Sequence, residues 1–600
     1  LPDEVVVTLR RAGDVRTAAC ADDISPRTIR YNPAMLSGIE AFLELLHSAG
    51  VRYIFGNPGT TELPLNDALV GDERFEYVLG LQEVSVMAMA DGYAMASRQP
   101  GVVNLHISCG LGHAMGILYN AFREGTPLLV TAGQQDRRLA FEEPILGGDM
   151  VSVARPWTKW ACEVRRVQDL PIAVRRAVQI ACTPPTGPVF LSLPIDVQME
   201  RANDLDLSPI RLPEHELRPV PHAIRQAVLT LLLDSKRPAI LAGSRVRELG
   251  AVDELVQVAE ALGAPVFSEP GHHHGRLSFP SDHPLNAQGL PLWSPEIRER
   301  LKEYDALLVV GADLLRQYVY HEPCRAIPEH IKIVHIDEDA YQLNKNYACE
   351  VAILGHARPA LAALRQELVH RTKEEQRAAI QERTALHSAR HAQARENLRA
   401  KLETERSRRP LTPLAFMGAL ADVLPPDIAV IEEAVTTTNT TFERLGVLGK
   451  QADVFGHRGW ALGWGLGLSL GVKLAWPDRP VLGIIGDGAA CYGMQALWSA
   501  AHYRIPVTFV IPNNAQYQIL KIGAQGFKLP HAAEGQFESL DVVGPEVDFV
   551  KLGESLGVES VRIGDPGELS EAVAAGFNCD RPLLIDVPIS REIPGRLNYG

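Results

Sequence analysis

Asp487 and Asn514 lie 27 positions apart, each just past an apolar run, VLGIIG before the first and VTFVIPN before the second. That interval holds one helix and one strand. A parallel crossover of this kind brings two neighbouring strand ends, and both side chains, towards one point. A carboxylate oxygen, an amide oxygen and a backbone carbonyl are hard donors. Together they suit Mg2+, which keeps waters and phosphate oxygens as its other ligands. Gly486 and Gly488 flank the acid and let backbone approach a phosphate closely. The N–H groups that follow, at a helix N-terminus, can cradle the anion. The chemistry implied is a diphosphate held through a divalent cation.

Such groups need parallel strands to carry them. Three blocks alternate continuous Val/Ile/Leu runs with amphipathic stretches, as strands buried on both faces of a parallel sheet do. The first, 34–203, contains VRYIF, YVLGL, VVNLHI, PLLVTAG and PVFLSLP; the second, 218–370, contains PAILAG, APVFSEP, ALLVVGA and KIVHID. The third, 409–595, contains IAVIEE, VLGIIGDG, VTFVIPNN and PLLIDVP. The expected fold is α/β, three doubly wound parallel-sheet domains, with the functional groups beyond the carboxyl ends of strands. Between the second and third blocks, 371–408 is dense in mixed charge without Gly or Pro and reads as an exposed helical linker. Residues 1–33 read as an N-terminal extension.

A formal net charge of −14 argues against nucleic acid or an anionic membrane as the main partner. No apolar run approaches the roughly 18 residues needed to cross a bilayer. The first twenty residues lack a signal-peptide core. Eight cysteines are scattered without a CxxC pair, which fits a reduced, cytoplasmic chain and no zinc site. The run His272 to His274 invites a metal reading, but adjacent histidines on an extended loop point apart.

GDG, a gap of twenty-four residues and NN, with both halves closing apolar strands, resembles the cofactor signature of thiamine diphosphate-dependent enzymes. The resemblance covers nearly the whole chain after residue 34 and is closest to the benzoylformate decarboxylase branch, with acetohydroxyacid synthases and oxalyl-CoA decarboxylases as similar relatives. It implies a pyrimidine-binding, a middle and a diphosphate-binding domain, in that order. It implies thiamine diphosphate and Mg2+ as cofactors, with Asp487 and Asn514 as side-chain ligands of the metal and Gln516 giving its backbone carbonyl. Gly486, Gly488, Ala489 and Ala490 would meet the diphosphate, with Tyr517 beside them. Thr436, in EEAVTTT, would add a hydroxyl contact or cap a helix, and the two are compatible. Leu462, in GWALGWGLG, falls where the family places a bulky apolar residue beneath the cofactor. FAD or ADP in the middle domain stays open, because no fingerprint there decides it.

LQEVSVMAMADGYAMA sets Glu83 at the start of an apolar helical run, beside Leu81, Val84 and Val86. From the residues alone it reads as a helix-start acid favoured by the dipole. The resemblance makes it the activating glutamate, which shares a proton with the cofactor's pyrimidine ring. In the family that acid and the diphosphate site come from different subunits, which implies a homodimer at least and commonly a homotetramer. His106, after VVNLHI, and His283, in FPSDHPL, match the family's active-site histidines, and imidazoles move protons near neutral pH. Thr60, in FGNPGTT, keeps a hydroxyl that could hold a substrate carboxylate or serve the turn. Trp460, Ile519 and Gly523 depart from the decarboxylase pattern and would put bulk near the cofactor and room farther out. The activity expected is decarboxylation of a small 2-oxo acid to an aldehyde. Carboligation of the acetolactate synthase type and acyl-CoA lysis are the alternatives.

Overall fold

The computed structural model describes residues 35–212, 216–269, 275–317 and 320–594; residues 1–33 and His272 to His274 lie outside them. Three six-stranded sheets form the frame, and every pairing within them is parallel. In the first, the strands lie in the spatial order Glu76–Leu79, Tyr53–Gly56, Gly101–Leu105, Leu128–Gln134, Val189–Pro194, Trp160–Glu163. In the third they lie as Asp453–Phe455, Ala429–Glu433, Val481–Ile485, Thr508–Asn513, Leu583–Pro588, Glu559–Arg562. Counted along the chain, both sheets have the order 2-1-3-4-6-5, so the first and last domains share one topology. The middle sheet runs Asn286–Gly289, Val266–Ser268, Pro238–Ala242, Ala306–Val310, Lys332–Asp337, Val351–Leu354, which is 3-2-1-4-5-6. Among the described residues no helix is long and apolar enough to cross a membrane.

Each sheet has a point where the winding reverses, and Asp487 and His106 follow strands that flank such a point, where open α/β sheets bind ligands. Register places them. Glu433 pairs with Ile485, so the following Gly486 N–H donates to the Glu433 carbonyl (3.1 Å) and the chain turns into the helix Asp487–Gly493. At the reversal point of the middle sheet, Arg245 is ion-paired with Asp313 (2.9 Å) and with the fully buried Asp337 (2.8 Å).

The central strands are the ones legible as continuous apolar runs. Trp160–Glu163, Asn286–Gly289, Val351–Leu354, Asp453–Phe455 and Glu559–Arg562 were not expected, and all five are sheet edges. An edge strand has one partner, stays short and tolerates charge, so most such strands leave no continuous apolar signature; Val351–Leu354, VAIL, is apolar but only four residues long.

The charged run forms the helix Glu374–Glu405, but it is tied down more firmly than an exposed linker. His391, Leu398 and Leu402 are buried along it, and the Arg395 guanidinium donates to the carbonyls of Ser281 (2.6 Å) and Gly446 (3.3 Å), bridging the middle and last sheets' domains.

The first and last domains meet through the helices Glu83–Ser97 and Gly465–Ala475, which lie backbone to backbone. A Cβ added at Gly471 would fall 2.0 Å from the Met89 carbonyl oxygen, and one at Gly92 would fall 2.3 Å from that of Leu468. Neither obstacle is a flexible side-chain tip, so the helices would have to separate. Gly471→Ala is expected to destabilise the fold by about 3 kcal/mol, the upper part of the usual overpacking range. Its thermal unfolding midpoint should fall below the parent's in scanning calorimetry, whereas Gly523→Ala, inside the helix Gln518–Gly526 with open space around the added methyl, should unfold no lower than the parent.

Candidate active site

In the first domain the polar groups gather beyond strands Tyr53–Gly56 and Gly101–Leu105. Glu83 opens the helix Glu83–Ser97, and its N-cap Gln82 accepts the Val84 N–H (2.6 Å). Its carboxyl is buried against this domain. Oε1 accepts from Asn57 Nδ2 (3.1 Å), and Oε2 faces His113 Nδ1 (3.0 Å). Leu81 does not shield it as expected: that side chain is half exposed, because it precedes the helix on the outward side of the turn.

His106 caps the helix Ile107–Glu124 and points back at a carboxylate the sequence reading missed. Glu62 is fully buried, and its Oε2 accepts from the Gly59 N–H (3.0 Å) and faces His106 Nδ1 at 2.7 Å. Its Oε1 accepts from Thr61 Oγ1 (2.8 Å) and the Gly133 N–H (2.8 Å). Four donors fix this acid, and the acid fixes the imidazole. The only signal in the sequence was an acid within the FGNPGTTE turn. Thr60 begins the 3-10 turn Thr60–Glu62 with its side chain exposed beside this pair, while the hydroxyl of Thr61 is the one turned inward.

In the last domain Asp487 and Asn514 converge. Asp487 Oδ2 accepts the Ala515 N–H at 2.7 Å, which sets the carboxylate against the residue following Asn514. Ala515 has φ +47°, a left-handed conformation unusual for a residue with a side chain; it turns the chain sharply so that Asn514 Oδ1 accepts the Gln516 N–H (3.2 Å). Burial pushes the Asp487 carboxyl up to about 6, against the pull of surrounding N–H groups. Lys521 holds the Gln516 side chain from one side (2.8 Å) and bonds Asp541 (2.7 Å) on the other, so the turn carrying the donor set is braced. A carboxyl at the head of the helix Asp487–Gly493, with an amide and a backbone carbonyl in the braced turn beside it, fits a hard divalent cation. Gly488 lies under the Tyr517 ring, where a Cβ would come within 3.1 Å of it, and the Ala490 N–H donates to the Gly486 carbonyl (2.8 Å). Ala489 and Ala490 follow in the same helix. Thr436 lies inside the short helix Val435–Thr438, whose cap is Ala434, so capping is not the task of its hydroxyl.

Leu462 is 43 % exposed, standing out from a loop that a single buried acid holds. Glu433 accepts the N–H groups of Gly463 (2.6 Å) and Trp464 (3.2 Å) on Oε1 and of Gly465 (2.7 Å) on Oε2. Burial outweighs these three donors and raises its carboxyl to about 7. A folded-state value above the unfolded one means that the associated stability is complete below about 4.5 and is lost as pH rises through about 7. Glu433→Gln removes that titration. The fall in thermal midpoint between pH 5 and pH 8 should therefore be shallower in the variant than in the parent, measured by calorimetry on both.

His283 does not join these groups. Its Nδ1 accepts the Leu285 N–H (3.1 Å), its Nε2 faces Glu260 at 3.5 Å, and its ring packs edge-on against Phe279, all within the middle domain. Among the described middle-domain histidines, His321, which the sequence reading passed over, is the one whose ring packs beside an apolar cluster next to these groups. Its ring meets Trp293 edge-on at 5.0 Å, and Trp293 belongs to an apolar cluster with Leu292, Val435, Trp460, Ile519 and Ile522. Those residues lie beside Thr436 and the turn after Asn514. Trp460 enters that cluster with φ +64°, and Gly523 has open space around it.

Comparison with known proteins agrees with the three-domain fold. Three family models match: the N-terminal TPP-binding domain of thiamine pyrophosphate enzymes over residues 36–145, their central domain over 225–364 and their C-terminal TPP-binding domain over 451–587. The chain is 34 % identical to benzoylformate decarboxylase of Pseudomonas aeruginosa, over 91 % of this chain and 98 % of that one. It is 27 % identical to a probable acetolactate synthase large subunit of Methanocaldococcus jannaschii, over 92 % of each. Among solved structures, thiamine diphosphate-dependent 4-hydroxybenzoylformate decarboxylase of Rhodococcus jostii superposes with a TM-score of 0.81 at 29 % identity, covering 93 % of this chain and all of that one.

Proposed function

The chain belongs to the thiamine pyrophosphate enzyme family, and on that premise we propose that it decarboxylates a 2-oxo acid to an aldehyde with thiamine diphosphate and Mg2+. Bound thiamine diphosphate supplies a nucleophilic carbon and an electron sink. The protein's part is to hold that group and to handle protons. Asp487, Asn514 and the Gln516 carbonyl would hold the cation; Gly488, Ala489 and Ala490 would line the diphosphate, with Gly486, Thr436 and Tyr517 beside it. Leu462 would support the cofactor, and Glu83 would exchange a proton with it. Thr60 orients the substrate carboxylate, and His106 moves a proton at the reacting oxygen or carbon. The observation that carries the reading is the Glu62–His106 pair, an imidazole aimed and held by a buried acid at the strand end next to Glu83. That is the arrangement of a general acid–base group.

Within one chain Leu462, Tyr492 (56 % exposed), Leu520 and Phe527 stand open on the last domain. A second copy bringing its first domain against them would complete the site, which makes a homodimer the smallest working unit. The deciding experiment incubates the protein, thiamine diphosphate and Mg2+ with pyruvate, phenylpyruvate and benzoylformate. Free aldehyde and CO2 are expected; a 2-hydroxy ketone as sole product would show a carboligase instead.

The placement of the two middle-domain histidines gives a second test. We give His321, whose ring packs on Trp293 beside the site, a proton-transfer role, so His321→Phe is expected to lower kcat by about 100-fold, the low end for loss of a general acid–base group. His283→Phe should leave kcat within about twofold, since that ring serves only its own domain.

A further inference from the structure

His113 lies on the helix Ile107–Glu124, and His106 immediately precedes that helix. Each imidazole meets a different acid: His106 meets Glu62 at 2.7 Å and His113 meets Glu83 at 3.0 Å. Gly110 lies between them. A Cβ there would come within 3.2 Å of Glu83 Oε1, so its absence lets the Glu83 carboxyl rest on the helix surface and reach His113.

The two pairs differ in how the acid is held. Glu62 has four donors, two of them backbone N–H groups, and no acceptor capacity left to offer. Glu83 has two partners, both side chains, and keeps half its capacity open. The Glu83 side chain is 7 % exposed, while that of His113 is 61 % exposed in the single chain. Among the described residues of the single chain, the imidazole is thus the titratable group hydrogen-bonded to the buried acid through Nδ1 and open to water.

We propose that His113 supplies and recovers the proton that Glu83 exchanges. The ring accepts a proton from water at Nε2 and passes its Nδ1 proton to Glu83 Oε2; the reverse transfer restores both groups. One proton moves in, one moves out, and no electron pair leaves the imidazole. His113 is a positioning residue that acts through Glu83, and this role rests on the reading of Glu83 as the group that activates thiamine diphosphate.

The test follows the loss of the cofactor's C2 proton to D2O, by quenched-flow NMR, together with catalysis. His113→Gln keeps a donor at hydrogen-bonding reach but cannot relay. It is expected to bind thiamine diphosphate within twofold of the parent and to exchange C2–H at least tenfold more slowly. His113→Ala should behave likewise and recover with added imidazole, in proportion to its concentration, which a purely structural residue would not do. In the cofactor-free protein, 15N-labelled His113 should show the Nδ1–H tautomer and shift when Glu83→Gln is introduced. Parental C2 exchange in both His113 variants, or loss without imidazole rescue in folded protein, overturns the relay. Parental C2 exchange in Glu83→Gln overturns instead the role given to Glu83 itself.

Discussion

Glu83→Gln lowers kcat by about 10²- to 10⁴-fold, the range for removing a group that transfers a proton in the transition state. Thiamine diphosphate binding changes far less, because the residues proposed to hold the diphosphate and the cation belong to another domain. The substitution is nearly isosteric. Gln keeps an oxygen to accept from Asn57 Nδ2 and loses only the ability to carry a proton, while its amide nitrogen meets His113, which can present a lone pair at Nδ1 in its other tautomer. The fold should therefore survive, and the loss should lie in kcat rather than in cofactor affinity. Steady-state kinetics at saturating cofactor, with cofactor binding measured by calorimetry, separate the two. A parental kcat would remove Glu83 from the mechanism.

Asp487→Asn is the second large effect. It is expected to weaken Mg2+-dependent binding of thiamine diphosphate by more than about 100-fold, beyond the range for disturbing a residue behind the ligands. Activity at ordinary cofactor concentrations should disappear. The unliganded protein should show the opposite trend. Burial raises the Asp487 carboxyl to about 6, so its contribution to stability is complete at low pH and lost as pH rises through about 6. Asn cannot ionise and still accepts the Ala515 N–H. At pH 8 the cofactor-free variant should therefore melt no lower than the cofactor-free parent, and added cofactor with Mg2+ should raise the midpoint of the parent alone. A folded variant that binds thiamine diphosphate with parental Mg2+ dependence would sink the assignment.

The groups that sequence spacing placed well are those at the ends of central strands. Asp487, Asn514 and His106 each follow an apolar run whose burial on both faces fixes where it stops, so the next polar residue must lie at the carboxyl edge of a sheet. Glu83 follows the same logic one step on, as the first residue of a helix packed against the last domain. Glu62 was harder to see. It lies inside a turn, and its function comes from folding back onto His106, 44 positions away.

The sequence by itself determined three parallel-sheet blocks, the diphosphate signature and the acid at the head of the Glu83 helix, because strand burial, turn glycines and short spacings act through neighbours along the chain. Only the tertiary structure decided that His321 rather than His283 turns towards the aromatic cluster, that Glu433 holds the Leu462 loop and that His113 reaches Glu83. Each of those relations joins residues from separate elements whose loop paths are set by packing, and no local pattern records where a loop will lie.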